Sequence, residues 1–155
     1  MIENLLLNIK NAILADENFR SCLIYPDARG DVIAPAVFLE VASYSTGNDP
    51  ATGELSLIAN IEARIVVDSI TENAELVCQN LACQIANIAH LNSFGCQVSP
   101  AKISGISRDS FKPDFDPYIC WLVEWSHEIR IGESVWKESG LPPHILHINN
   151  EVIHD

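Results

Sequence analysis

The segment Tyr118-Ile-Cys-Trp-Leu-Val-Glu-Trp-Ser-His-Glu-Ile-Arg-Ile131 constrains this chain more than any other. At a period of two, Ile119, Trp121, Val123, Trp125, Ile129 and Ile131 share one face, interrupted only by His127. Cys120, Leu122, Glu124, Ser126, Glu128 and Arg130 share the other face, and half of them are charged. At about 3.3 Å per residue such a strand reaches roughly 46 Å, whereas strands usually hold about five or six residues. It overshoots the core of a small domain, so part of it is expected to pack on something else.

A second long alternating segment covers Glu54–Asp68. Leu57, Ala59, Ile61, Ala63, Ile65 and Val67 are expected to face inward, with Asn60, Glu62, Arg64 and Asp68 outward. Ala36–Tyr44 reads as its hairpin partner, because Gly47-Asn-Asp-Pro50 and Gly53 punctuate the stretch between them. Ile2, Leu5, Leu6, Ile9 and Ile13 recur at helical spacing and predict an amphipathic helix over 2–15. A short strand over Cys22–Tyr25 precedes the turn-rich Asp27–Asp31. Ser69-x-x-Glu72 has capping-box spacing, with Ser69 or Thr71 as cap of a helix running to about Asn92. Its stripe is Ala74, Val77, Cys78, Leu81, Ile85, Ile88 and Ala89, and Gly95 is the expected left-handed residue after it. Ala101–Arg108 reads as a weaker strand with a bulge at Gly105. Pro142-Pro143 predicts an extended tail.

The order is therefore α-β-β-β-α-β-β. It predicts a two-layer α+β domain over 1–139, followed by an extended C-terminal tail over 140–155. The sheet is mainly antiparallel (mixed), with two helices on one face and Glu62, Arg64, Glu124 and Arg130 on the wet face. At 155 residues and 48% hydrophobic content the chain can bury a real core. Acidic residues outnumber basic ones 21 to 9, a formal charge of −12 that opposes sequence-independent binding to phosphate backbones.

Five cysteines, Cys22, Cys78, Cys83, Cys96 and Cys120, lie mostly in apolar runs without CxxC spacing, as in small core residues of a reducing compartment. Neither a signal peptide nor a membrane-spanning run is expected. The sequence holds no GxxxxGK[ST], GxGxxG or GxSxG motif. Asp114 and Asp116, between Pro113 and Pro117, read as an exposed loop rather than an acid–base pair. His144, His147 and His154 form a histidine-rich ending, read as a surface cluster because Pro142-Pro143 and Asn149-Asn150 disfavour the helix that HxxH needs for metal binding. His127 reads as a satisfied core or interface residue. The reading is of a non-enzyme with no catalytic, cofactor or metal residue. Trp121 and Trp125 are expected in the core, while Trp136, past the strand's end, is a natural interface anchor.

The element order resembles the tail terminator (tail completion) proteins of long-tailed bacteriophages, the lambda-like U protein family and relatives in Mu-like prophages. The resemblance rests on the short first helix and on Leu57–Asp68 leading into the Thr71–Asn92 helix. It extends to Trp125-Ser-His-Glu-Ile-Arg-Ile-Gly-Glu133 and to the Val135-Trp136…Pro142-Pro143 ending. It implies a homo-oligomeric ring, typically a hexamer, seated on the tail tube protein. That ring stops tube growth and offers a docking surface to a head–tail neck protein. It implies assembly in the bacterial cytoplasm and then a place in the virion, with DNA passing through unbound and no membrane involved. Candidate interface residues are Glu62, Arg64, Glu124, Arg130 and Trp136, and candidate acidic lumen residues are Asp27, Asp31, Asp49 and Glu54. Two alternatives are a neck protein one layer toward the head and a cytoplasmic ligand-binding or enzymatic α+β domain. The latter requires a deep pocket with converging polar groups.

Overall fold

The computed structural model describes residues 1–26, 32–109, 118–136, 145–148 and 151–154. Its elements are α1 (Ile2–Leu14), β1 (Ser21–Ile24), β2 (Ala36–Thr46), β3 (Leu55–Asp68), α2 (Ala74–Ala89), β4 (Lys102–Arg108) and β5 (Tyr118–Ile131), then β6 (Ile145–Ile148) and β7 (Glu151–His154). The main sheet has the order β1-β2-β3-β5-β4, antiparallel except where β1 runs parallel to β2. It is an α+β fold with both helices packed on one face.

The two long strands lie side by side at the centre. β3 and β5 pair without a register break from Leu55↔Ile131 to Asp68↔Tyr118. The excess length expected to seek an outside partner is thus met, strand for strand, inside the chain. Odd-numbered residues of both strands face the helices. Ile61, Ala63, Ile65, Val67, Val123 and Trp125 join Leu5, Ile9 and Ile13 of α1 and Cys78, Leu81 and Ile85 of α2 in one core. Fully burying an aliphatic side chain of this size contributes about 1.5–3 kcal/mol, so the stripe shared by β3, β5 and the helices dominates stability. On the opposite face Ala36, Val66 and Cys120 form a small apolar cluster flanked by Val32, Phe38 and Tyr118. That face was expected to be wet, and its Tyr118 end is not.

Several boundaries differ from the sequence reading. The capping box is not formed. The Asp68 carboxylate and carbonyl accept the amides of Ile70 and Thr71, and the chain turns through a left-handed Asn73 before α2 starts at Ala74. A local side-chain bond has won over the cap. The helix also stops at Ala89 rather than Asn92. Ala101 accepts the Leu91 amide and donates to the Asn92 carbonyl, drawing both residues into a strand-like pairing beside β4, with Leu91 at φ 54°. Gly95 is left-handed as expected, at φ +69°. The β4 bulge falls between Ile103 and Gly105. Within the expected C-terminal tail, two extended segments, β6 and β7, pair antiparallel from Ile145↔His154 to Ile148↔Glu151.

Core and surface positions on this frame should separate cleanly. Ile65→Ala, at a fully buried site, is expected to lower unfolding free energy by about 2–5 kcal/mol. Ile70→Ala, on an exposed turn, should stay within about 0.5 kcal/mol of the parent in the same urea titration.

Candidate assembly surface

On the helix-free face, antiparallel register gathers charge around one guanidinium. Arg64 on β3 donates through Nη1 to Glu40 on β2, through Nη2 to Glu62 at 2.7 Å and through Nε to Asp109, just after β4, at 3.1 Å. Burial alone would weaken the charged form. The hydrogen bond to Glu40 and the nearby charges of Glu62 and Glu40 outweigh it and hold the guanidinium above its ordinary pKa. One cation thus serves three carboxylates. All are part-buried, where ion pairs are less screened than on open surface. Glu124 is the register partner of Glu62. Of the five candidate interface residues, three therefore cluster here, and Arg64 spends its donors within the chain. Glu40 and Asp109 were not singled out from sequence. Only Glu40 left a signal, as a lone acid inside the alternating Ala36–Val41 run, whereas Asp109 arrives through tertiary pairing.

Arg130 and Trp136 lie at the opposite end of β5, here termed the distal end. There the chain leaving β5 pins the β2–β3 loop. The Val135 amide donates to the Thr52 carbonyl at 2.8 Å, and Trp136 Nε1 donates to the Ala51 carbonyl at 3.1 Å. Val135 packs so near Gly53, itself at φ +78°, that a Cβ there would sit 2.9 Å from Val135 Cγ1. Asp49 accepts the Ala51 amide and Glu54 accepts the Thr52 hydroxyl, so both acids shape this loop. Asp27 and Asp31 lie outside the described residues. Despite its hydrogen bond Trp136 remains 73% exposed, and Val135, Leu55, Ile131 and Tyr44 are exposed at the same end. Alternation puts Tyr44, Leu55 and Ile131 on the helix-bearing side.

Between this end and the core, Ser99 clamps β5. Its amide donates to the Glu128 carbonyl at 2.9 Å, and its Oγ accepts the Glu128 amide at 2.6 Å. The Ser99 carbonyl lies 2.8 Å from His127 Nδ1, while His127 Nε2 lies 3.1 Å from Trp125 Nε1. Indole can only donate, so Nε2 is the acceptor and Nδ1 carries the proton. Phe94 meets the imidazole edge-on, with ring centroids 5.9 Å apart. Burial pushes the His127 pKa down, only partly opposed by the Ser99 carbonyl. His127 is a satisfied core residue, as its place on the apolar face indicated.

The remaining chemistry is sparse. A cleft of about 570 Å³ at the distal end is lined by Met1, Glu54, Gln97–Ser99, Glu128, Arg130, Gly132 and Ser134. Its central carboxylate, Glu128, already accepts the Ser56 hydroxyl at 2.7 Å. Burial raises the Cys22 thiol to about 12, which leaves it without nucleophilic thiolate near neutrality. Among the described residues no three His, Cys, Asp or Glu side chains come together as metal ligands. The side chains of His144, His147 and His154 lie outside the described residues. No helix among the described residues is long and apolar enough to cross a membrane. A scan against protein-family models and a search of curated proteins returned no match.

Two outcomes test these networks. Arg64→Met should leave three carboxylates facing one another and cost about 1–3 kcal/mol. Glu40→Gln should recover part of that loss in a double-mutant cycle by chemical denaturation. For His127, the folded state holds a depressed pKa against about 6.5 unfolded. Its contribution is therefore fully present above about pH 6.5 and declines as pH falls from there toward the folded value. The urea midpoint should drop between pH 7.5 and 5.5, and His127→Gln should flatten that part of the profile.

Proposed function

We propose that this chain is a structural phage or prophage protein that caps the tail tube as a ring, ends its polymerisation and offers the head a docking surface. The observation that carries the reading is the distal end of the sheet. There the central ladder ends at exposed Leu55 and Ile131, and Tyr44, Val135 and Trp136 are exposed at the same end. Exposed apolar side chains gathered at one end of a sheet, with a hydrogen-bonded tryptophan among them, are the composition expected of an interface. The ring role follows from the resemblance of the sequence to the tail terminator proteins. The acids Asp49 and Glu54, on a chain of formal charge −12, suit a wall past which DNA slides without being held.

The ligand-binding alternative has the 570 Å³ cleft in its favour. Glu128 in that cleft is committed to Ser56, and the described lining presents no reactive pair. The assembly reading uses more of what is exposed.

Electron microscopy of particles from a strain lacking this gene is the direct test. Headless particles with overlong tails are expected, and normal tails joined to filled heads would sink the reading. Trp136→Ala supplies the residue-level check. Chain stability should change by about 0.5 kcal/mol or less. Ring or tube association, measured by sedimentation, should weaken by roughly tenfold or more, as for an anchor worth over about 1 kcal/mol.

A further inference from the structure

Among the described residues the main sheet has two open edges, and they match. β1 covers β2 only from Ala36 to Leu39. Among the described residues nothing pairs with the outer side of β2 over Ser43–Thr46, nor with the outer side of β4 over Ile103–Arg108. Which backbone groups point outward follows from the hydrogen bonds at hand. Gly47 donates inward to Ser56, so by alternation Tyr44 and Thr46 present their N–H and C=O outward. Asp109 donates inward to Cys120, so Ile106 and Arg108 point outward as well.

Direction matches too. β2, β3, β5 and β4 are joined by three antiparallel pairings, so β4 runs opposite to β2. Placing one copy's β4 beside the next copy's β2, in the same orientation, continues an antiparallel sheet.

We propose that copies of this chain join head to tail by strand addition, the β4 edge of one pairing with the Ser43–Thr46 edge of the next, Ile106 opposite Tyr44. Both residues lie on the helix-bearing side of their sheets by register, and they are 38% and 49% exposed. An aromatic facing a β-branched residue is a favourable cross-strand pair. Antiparallel addition carries Lys102, an exposed cation at the start of β4, toward the acidic loop at Asp49. Beyond its bulge at Val41/Ser43, the β2 segment has no charge or proline to discourage pairing. The two edges differ, so the contact is heterologous and generates a closed ring when its rotation permits. The proposal rests on the ring reading and assigns that ring's subunit contact.

In this register Ser43 and Ser107 face each other as a non-hydrogen-bonded pair, with Cα atoms about 4.5 Å apart, within disulfide range. Both are exposed. Full-length chain carrying Ser43→Cys and Ser107→Cys, with exposed Cys83 changed to Ser, would be oxidised at high concentration. Products would be resolved without reductant beside electron micrographs of the same sample, with circular dichroism confirming the fold. A ladder of linked species up to the ring number is expected from the double variant, and monomer from either single variant. Ile106→Lys should abolish species above monomer while leaving the melting temperature unchanged. Dimers from Ser43→Cys alone would mean that two β2 edges pair with each other, overturning the proposal. Rings without links in the double variant would also overturn it, leaving the ring reading intact. Absence of both rings and links at every concentration would remove both.

Discussion

The rest of the molecule depends on the unbroken pairing of β3 with β5. Two strands of fourteen residues each, locked at every position, form a rigid bar longer than either helix. Because side chains alternate, one register choice decides both faces at once. It puts Ile61, Ile65, Val123 and Trp125 under the helices and Glu62, Arg64 and Glu124 on the other side. A slip of one residue would invert both sets, burying charge and exposing the core, and this cost fixes the register.

The bar also explains why one end of the molecule differs from the other. α1 and α2, of thirteen and sixteen residues, advance about 1.5 Å per residue. Strands advance about 3.3 Å, so helices of similar residue count cover only part of the sheet's length. The Asn92–Ala101 segment extends the cover through Phe94 and Ser99, and the helix-bearing face beyond is left with Tyr44, Leu55 and Ile131 exposed. Apolar residues stranded there follow from the mismatch in rise. The β2–β3 loop at this end is held by Val135 and Trp136 rather than left loose, which presents the tryptophan at a defined position.

The charged face follows a different logic. Arg64 satisfies three carboxylates from three separate segments and so ties β2, β3 and the residue after β4 together. Charges at outward positions such as Arg64 and Glu62 can meet a partner only where nothing within the chain reaches them. Here they meet each other first, while Arg130 and Trp136, six and twelve residues beyond Glu124, remain exposed.

Periodicity alone determined a good deal: both long strands, the two helices, the faces of each, and hence the α+β class. These follow from local geometry, since apolar spacing of two or of about 3.6 can satisfy only one backbone form. It also placed His127 on the apolar face of β5, two residues from Trp125. Tertiary structure decided what local spacing cannot reach. The Leu91–Ala101 and Asn92–Ala101 bonds ended α2 early. Ser99 became a clamp on β5, and Asp109 joined Arg64 from 45 residues away. It also set the sheet order, and with it which strand edges stay open. Those outcomes depend on which distant groups the folded chain brings within hydrogen-bond reach, and no spacing along the chain records that.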